Sequence, residues 1–353
     1  MTAGNIQCQQ NKSPEHQVPK DVVSYIDEAV SFIISSIGQD LIITGISPHG
    51  VSRWTRTARV KVKNALGNRI SYFLKVSRGQ IGKSMMEGEY HSMLALYHAM
   101  PALSPEPIGW GKYLNMEDTY FFLSSFTEMT GDIPASTSEF PAMVAKLHHE
   151  NKSPNGKFGF LVPTYHGNLP QDVSQCDIWE ESFTSGMVKF FDLEEEAQGR
   201  DQTMTILRKD IILTVIPRLL RPLESEGRRV TPSLVHGDLW DGNVSVDATT
   251  GAPVIFDACC SYAHNEYDLA PWWANRHNIG KAHIEEYLRH FPVSEPAGDF
   301  EDRMTLYCIR FNLCSSALNP GNKWFRDLLK EDMRFLAAKF PRGVECTPSS
   351  VPT

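Results

Sequence analysis

The sequence predicts an α+β chain of two lobes, β-rich first and mainly helical second. Three observations carry that prediction. Residues 54–63 alternate, with Ala58, Val60 and Val62 on one face and Arg59, Lys61 and Lys63 on the other, and residues 69–76 form a further β-rich run. From residue 83 onward, apolar residues recur mainly at helical spacing. Among the helical stretches of the second half lies one short hairpin, residues 244–246 and 254–256, with acidic residues at its ends. At 353 residues, 41% hydrophobic and 10% aromatic, the chain can bury two lobes.

The elements follow in order. Residues 1–18 are polar and expected as a disordered tail. Residues 21–37 carry Val22, Val23, Ile26, Val30, Ile33 and Ile34 at helical spacing, with Gly38 as a stop. A strand at 41–46 leads into Ser47-Pro-His49-Gly50-Val51-Ser52 and then the two strands above. Strand, small-residue turn, strand is how a nucleotide-covering loop is built, its N–H groups facing phosphates. Gly50, Val51 and Ser52 are the candidates, although a plain hairpin turn has the same pattern. In the helix at 83–100, Glu89 falls in the middle of the apolar stripe and Glu87 at its margin. A carboxylate facing a core is costly unless paired, and Lys75, inside an apolar strand, is the candidate partner.

Residues 101–107 form a loop and 119–123 a strand. Ser124 to Phe126 follow, where the chain passes from a first lobe (19–126) to a second (127–340); this is the place of a hinge that binds a base, assigned by order along the chain. The helix at 138–149 ends in His148 and His149, read as helix-end residues because no third metal ligand is in reach. Residues 151–169 are an irregular loop dense in glycine, proline and aromatics, of the kind that shapes a pocket or simply packs. Helices are expected at 179–191, 201–226, 279–291, 300–318 and 324–340, with a loose tail over 341–353.

The centre of the chain is Leu234-Val-His236-Gly-Asp238-Leu-Trp240-Asp-Gly-Asn243-Val. Asn243 lies five residues after Asp238, and Asp257 ends the second arm of the hairpin. Phosphoryl transfer needs a held, deprotonated hydroxyl and magnesium on the phosphates. Kinase catalytic loops meet that need with His-x-Asp, an Asn five residues on, and a metal-binding Asp at a strand end. On this reading Asp238 takes the hydroxyl proton, while Asn243 and Asp257, side by side at the hairpin's open end, hold magnesium. The plainer alternative is an ordinary turn and a strand cap.

Composition excludes other classes. Net charge is −8 with no long basic run, which disfavours nucleic-acid or anionic-membrane partners. No run approaches the roughly 18 apolar residues of a membrane span. The first residues lack an apolar signal core and arginine, so a cytoplasmic location is expected. The seven cysteines show no zinc spacing and read as reduced thiols, Cys259 and Cys260 among them as packing residues.

These residues resemble the fructosamine-3-kinase (ketosamine-3-kinase) family. The resemblance rests on the 236–243 motif, Asp257-Ala-Cys, His264-x-Glu266-x-Asp268-Leu-Ala, Met86-Glu-Gly-Glu89, Lys157-Phe-Gly-Phe160, and Trp179 followed by Phe183, and it runs over residues 42–336. It implies a protein-kinase-like fold that uses ATP and Mg2+ to phosphorylate the 3-hydroxyl of ribulosamines or fructosamines. The substrates would be glycated protein lysines or small ketoamines, whose products shed the sugar; this is the protein-ribulosamine 3-kinase activity. It further implies Asp238 as catalytic, Asn243 and Asp257 as metal ligands, Lys75 and Glu89 as the ion pair, Asp268 as the buried carboxylate that ties down the catalytic loop, and Trp240 as a pocket tryptophan. His236, which opens the motif, is a structural or substrate candidate. The chain departs from the family pattern at Ala258, usually proline, in the glycine-poor 47–52 loop, and over residues 258–262. Aminoglycoside and choline kinases share the broader motif, so a small-molecule kinase acting on another alcohol is the alternative.

Overall fold

The computed structural model describes residues 18–341 apart from residues 39 and 51. The expected tails beyond those limits, and Val51 of the expected nucleotide loop, lie outside the described residues.

The first lobe is an antiparallel sheet of β1 (Ile42–Pro48), β2 (Arg56–Lys63), β3 (Arg69–Arg78), β4 (Pro107–Lys112) and β5 (Thr119–Ser125), in the order β1-β2-β3-β5-β4. Ala58, Val60 and Val62 are fully buried, as their alternation requires. They meet Leu74, Val76, Phe121 and Leu123 in a core closed by Val30 and Ile34 of α1 (Glu28–Ile37). The helix expected over 21–37 is split: a 3-10 turn covers Lys20–Val23, and α1 starts only after Asp27. The buried Asp27 carboxylate explains the break. It caps α1 by accepting from the Ala29 N–H and also accepts from the N–H groups of Leu114 and Asn115, at 2.8–2.9 Å. β4 carries two glycines and a proline, which hid it from a reading by propensity. Gly109 is one of them, and a Cβ there would press on Ile33.

α2 (Gly79–Ala99) packs on this sheet, yet its Met85, Met86, Met93 and Leu96 belong to the core of the second lobe. It therefore joins the lobes, with Glu89 in the middle of the joining face.

The second lobe is built from α3 (Glu139–Glu150), α4 (Trp179–Gln198), α5 (Gln202–Asp210), α6 (Ile216–Leu220), α7 (Ala270–Trp273), α8 (Lys281–His290), α9 (Phe300–Leu318) and α10 (Lys323–Lys339). α9 is buried nearly throughout and packs on α4, α7 and α10. The helix expected over 201–226 is instead a chain of pieces: α5, a π turn at Ile211–Val215, α6 and a 3-10 turn at Arg221–Glu224. Pro217 and Pro222 have no N–H to continue an α ladder. Three two-stranded ribbons complete the lobe: β6 (Tyr165–His166) with β7 (Leu169–Pro170), β8 (Ser233–Val235) with β11 (Ser261–Ala263), and β9 (Val244–Val246) with β10 (Pro253–Ile255). No helix among the described residues is long and apolar enough to cross a membrane.

Candidate active site

The 236–243 loop is fixed from behind by Asp268. Its Oδ2 accepts from the His236 N–H at 2.8 Å and its Oδ1 from the Gly237 N–H at 2.9 Å. Burial works against the Asp268 charge, but His148, His236 and the loop N–H groups outweigh it and hold its pKa below the usual carboxylate value. His148 lies 3.2 Å from Asp268 Oδ2 and 2.8 Å from the Tyr287 hydroxyl. It is fully buried, so His148 ties the loop's anchor to α3 and is more than the helix-end residue the sequence suggested. His236 Nδ1 accepts from the Asp238 N–H at 3.2 Å, so Nε2 donates to Phe256 O at 3.0 Å. Gly237 has φ +86°, and a Cβ there would collide with the Cys259 carbonyl, which explains the glycine between His and Asp. The buried Trp272 indole donates to Leu239 O at 2.8 Å.

The hairpin brings its two ends together. The Phe256 N–H donates to Asn243 O at 3.1 Å, so Asp257 emerges beside Asn243. Asn243 Nδ2 donates to Asp238 O at 2.8 Å and to Asp238 Oδ2 at 3.0 Å, so the amide oxygen is the side-chain atom with which Asn243 could bind a cation. Asp257 takes φ +58°, a backbone state Asp tolerates better than most residues, and its Oδ1 lies 2.8 Å from Lys75 Nζ. Lys75 also meets both Glu89 oxygens, at 2.7 and 2.8 Å. Burial works against the Lys75 charge, but Asp257 and Glu89 outweigh it and raise its pKa. The structure pairs Lys75 with Glu89, not Glu87.

Two cavities meet at this point. One, of about 260 Å³, lies under the sheet between Phe73, Phe122, Met93 and Phe126, with His49, Gly50 and Ser124 at its edge. The Phe73, Phe122 and Phe126 rings in its lining could stack on a planar base. The Phe126 N–H is already bonded to Ser71 O at 3.1 Å, so Phe126 faces the slot with its ring, which the Arg59 guanidinium covers at 4.1 Å. The second cavity, of about 700 Å³, opens on the other side and is lined by Asp238, Trp240, Arg276, His277, Phe311 and Phe325 among others. Ser52, Lys75, Glu89 and Asp257 line both. Ser52 Oγ accepts from the N–H groups of Trp54 and Thr55 and so braces its own turn. Trp240 is 40% exposed, with its ring 5.7 Å from His277.

Although Asp238 leaves 28% of its side chain open to the larger cavity, the surrounding protein pushes its carboxyl up to about 7. Burial is the main cause, opposed by the Asn243 amide and reinforced by Asp257 and Asp268. Cys259 and Cys260 are both buried, with burial raising each thiol's pKa, in keeping with a packing role. Among the described residues no group of three or more His, Cys, Asp or Glu could hold a metal by itself. Asn243 and Asp257 instead offer hard oxygen donors for magnesium, an ion usually bound by one or two protein ligands together with phosphates and water.

Sequence reasoning missed His148, His166, His277, Arg310, Phe311 and Phe325. They come from five separate segments without a shared motif. Only the aromatic-rich 151–169 loop gave a hint, and it both packs and lines the site. Phe158 is buried against Trp179 at 5.4 Å, while Tyr165, His166 and Gly167 reach the larger cavity.

A five-stranded lobe over a helical lobe, with these side chains in the cleft, defines a protein-kinase-like fold. Solved structures agree. A candidate fructosamine-3-kinase from Haemophilus somnus 129PT aligns with TM-score 0.69 at 16% identity, covering 87% of this chain and 96% of that one. An aminoglycoside phosphotransferase in a ternary complex with AMP-PNP and hygromycin B aligns with TM-score 0.56 at 18% identity, covering 87% and 97%. At such identities the likeness speaks for the fold alone. The fructosamine kinase family model matches residues 30–326, and the chain belongs to that family. The rice (Oryza sativa subsp. japonica) protein-ribulosamine 3-kinase, chloroplastic, is 31% identical over 240 residues, 68% of this chain and 65% of the rice protein. Mouse (Mus musculus) ketosamine-3-kinase is 31% identical over 228 residues, 56% of this chain and 68% of the mouse protein. The match thus spans slightly less than two thirds of the rice protein's length.

Proposed function

We propose that this chain transfers the γ-phosphoryl group of ATP to the 3-hydroxyl of a ketosamine. The acceptor is a ribulosamine or fructosamine, on a glycated protein lysine or as a small ketoamine, and the phosphorylated product then sheds its sugar. The observation that carries the reading is the convergence of Asp238, Asn243, Asp257 and the Lys75–Glu89 pair where the two cavities meet. Family membership supplies the acceptor class.

In this scheme the flat slot under the sheet takes the base, and Lys75, oriented by Glu89, reaches the phosphates. Asn243, through its amide oxygen, and Asp257, through its carboxylate, would hold Mg2+, which supplies neutralising charge to the transferring phosphates. The acceptor lies in the larger cavity against Trp240. Asp238, held by Asn243 Nδ2, takes the proton of the 3-hydroxyl as that oxygen bonds to the γ-phosphorus and the bond to the ADP oxygen breaks.

The test is a panel of ribulosyl-lysine, fructosyl-lysine and non-glycated alcohols with Mg-ATP, read by mass spectrometry. Phosphorylation of a ketosamine is expected. Preference for a non-glycated alcohol would replace this reading with that of a small-molecule kinase of the aminoglycoside or choline kinase type.

A further inference from the structure

Behind Asp238 lie two buried polar side chains that the transfer scheme leaves unused. His166 in β6 is 2% exposed and Arg310 in α9 is 3% exposed. The Arg310 guanidinium covers the Phe190 ring at 3.3 Å. Its Nη2 donates to Gln171 Oε1 at 3.0 Å and to His166 Nδ1 at 3.5 Å. Gln171 is itself fixed, donating to Thr164 Oγ1 at 3.0 Å and to Cys259 O at 2.9 Å. A guanidinium can only donate, so His166 Nδ1 accepts and the imidazole proton belongs on Nε2.

Among the described residues that Nε2 meets no partner in full hydrogen-bond geometry, although the Gly237 carbonyl is near enough to draw weakly on its proton. It points at Asp238 Oδ1 from 3.6 Å, just outside hydrogen-bond contact. The other oxygen, Asp238 Oδ2, is already held by Asn243. Burial, with Arg310 adding to it, drives the His166 pKa down to about 3 against the pull of the Gly237 carbonyl, so the ring is a neutral donor. A buried N–H left unmade is costly, and a short approach to Asp238 would satisfy it.

We propose that His166, oriented by Arg310 and Gln171, is a positioning residue for phosphoryl transfer: its Nε2–H closes on Asp238 Oδ1 in the loaded cleft and fixes the rotation of the carboxylate toward the acceptor hydroxyl. The inference rests on Asp238 being the proton acceptor. His166 borders the larger cavity but is only 2% exposed, and its Nε2 faces the Asp238 carboxylate, so it acts through Asp238. Packing is the competing role, since the ring also meets Phe190 and Phe311 edge-on at 6.0 and 5.6 Å. Packing alone would be served by any residue of that shape.

Two experiments separate the roles. In steady-state kinetics with Mg-ATP and ribulosyl-lysine, His166→Phe should lower kcat by about 10- to 100-fold with both KM values nearly unchanged, the loss expected when a reacting group is misplaced by about an ångström. His166→Gln, which keeps an N–H donor at the same reach, should recover most of it. A kcat for His166→Phe near that of the wild type, or no recovery in His166→Gln, overturns the proposal. In 15N-histidine NMR of the unliganded protein, His166 should be the Nε2–H tautomer, and its Nε2 resonance should move in Asp238→Asn. An Nδ1–H tautomer, or a resonance indifferent to Asp238→Asn, also overturns it. Inactive Asp238→Asn beside fully active His166→Phe removes this inference alone. An active Asp238→Asn removes the reading of Asp238 and the inference with it.

Discussion

Lys75 Nζ lies 2.8 Å from Asp257 Oδ1 while both oxygens of Glu89 hold its other side. One lysine of β3 thus joins the helix between the lobes to the end of the second-lobe hairpin. Lys75→Met would leave Glu89 without its cation in a site where the Lys75 side chain is only 8% exposed. Removing one partner of such a pair costs about 3–5 kcal/mol, so urea unfolding should show a loss of that size. Lys75→Met with Glu89→Gln should recover part of the stability and none of the activity. Equal stability of the single and double variants would mean that the pair is not coupled.

Asp238→Asn keeps the shape of the side chain and removes its capacity to take a proton. Turnover should fall by the roughly 10²–10⁴-fold expected for a general base. Nucleotide affinity by calorimetry should change little, because the slot under the sheet does not include Asp238. A rate within a few-fold of the wild type would mean the proton goes elsewhere.

Glu194 and Arg326 form a two-point ion pair between α4 and α10, at 2.7 and 2.8 Å, and Ser316 Oγ donates to the same carboxylate. Neither residue lines either cavity, although the adjacent Phe325 lines the larger one. Glu194→Gln should therefore lower stability by about 3–5 kcal/mol while kcat, measured where the variant remains folded, is unchanged. A fall in kcat would show that α10 is coupled to the cleft.

His264 is fully buried and bonded to the hydroxyls of Tyr307 and Ser294. Burial depresses its pKa to about 4. At neutral pH it is uncharged in both folded and unfolded chains, and its full contribution to stability is present. As pH falls below about 6.5 the unfolded chain takes up the proton first, and that contribution is lost until the folded pKa is reached. Between about pH 7 and about pH 4.5, wild type should lose more stability than His264→Asn, by on the order of 2–3 kcal/mol. Parallel pH profiles would contradict the assignment.

The strand alternation of 54–63, the buried stripe of α2 with Glu89 in it, and the Asp238–Asn243–Asp257 spacing are local patterns, and each is written in a few consecutive residues. That is why the sheet apart from β4, the joining helix and the core of the cleft were legible. Asp27 broke an otherwise continuous helical pattern through bonds to residues 114 and 115, far along the chain. Pro217 and Pro222 were visible, but periodicity outweighed them in the reading. His148, His166 and Arg310 look like ordinary residues of a helix end, a loop and a helix. Their roles arise only when α3, β6 and α9 converge behind the 236–243 loop, and no local spacing encodes that meeting.

The account turns on where the phosphate goes. Wild-type protein with Mg-ATP and ribulosyl-lysine, followed by phosphorus and proton NMR of the product, should show a new phosphate coupled to the proton on carbon 3, and Asp238→Asn should make almost none. ADP formed without a phosphorylated sugar, or a phosphate on any other hydroxyl, would contradict it.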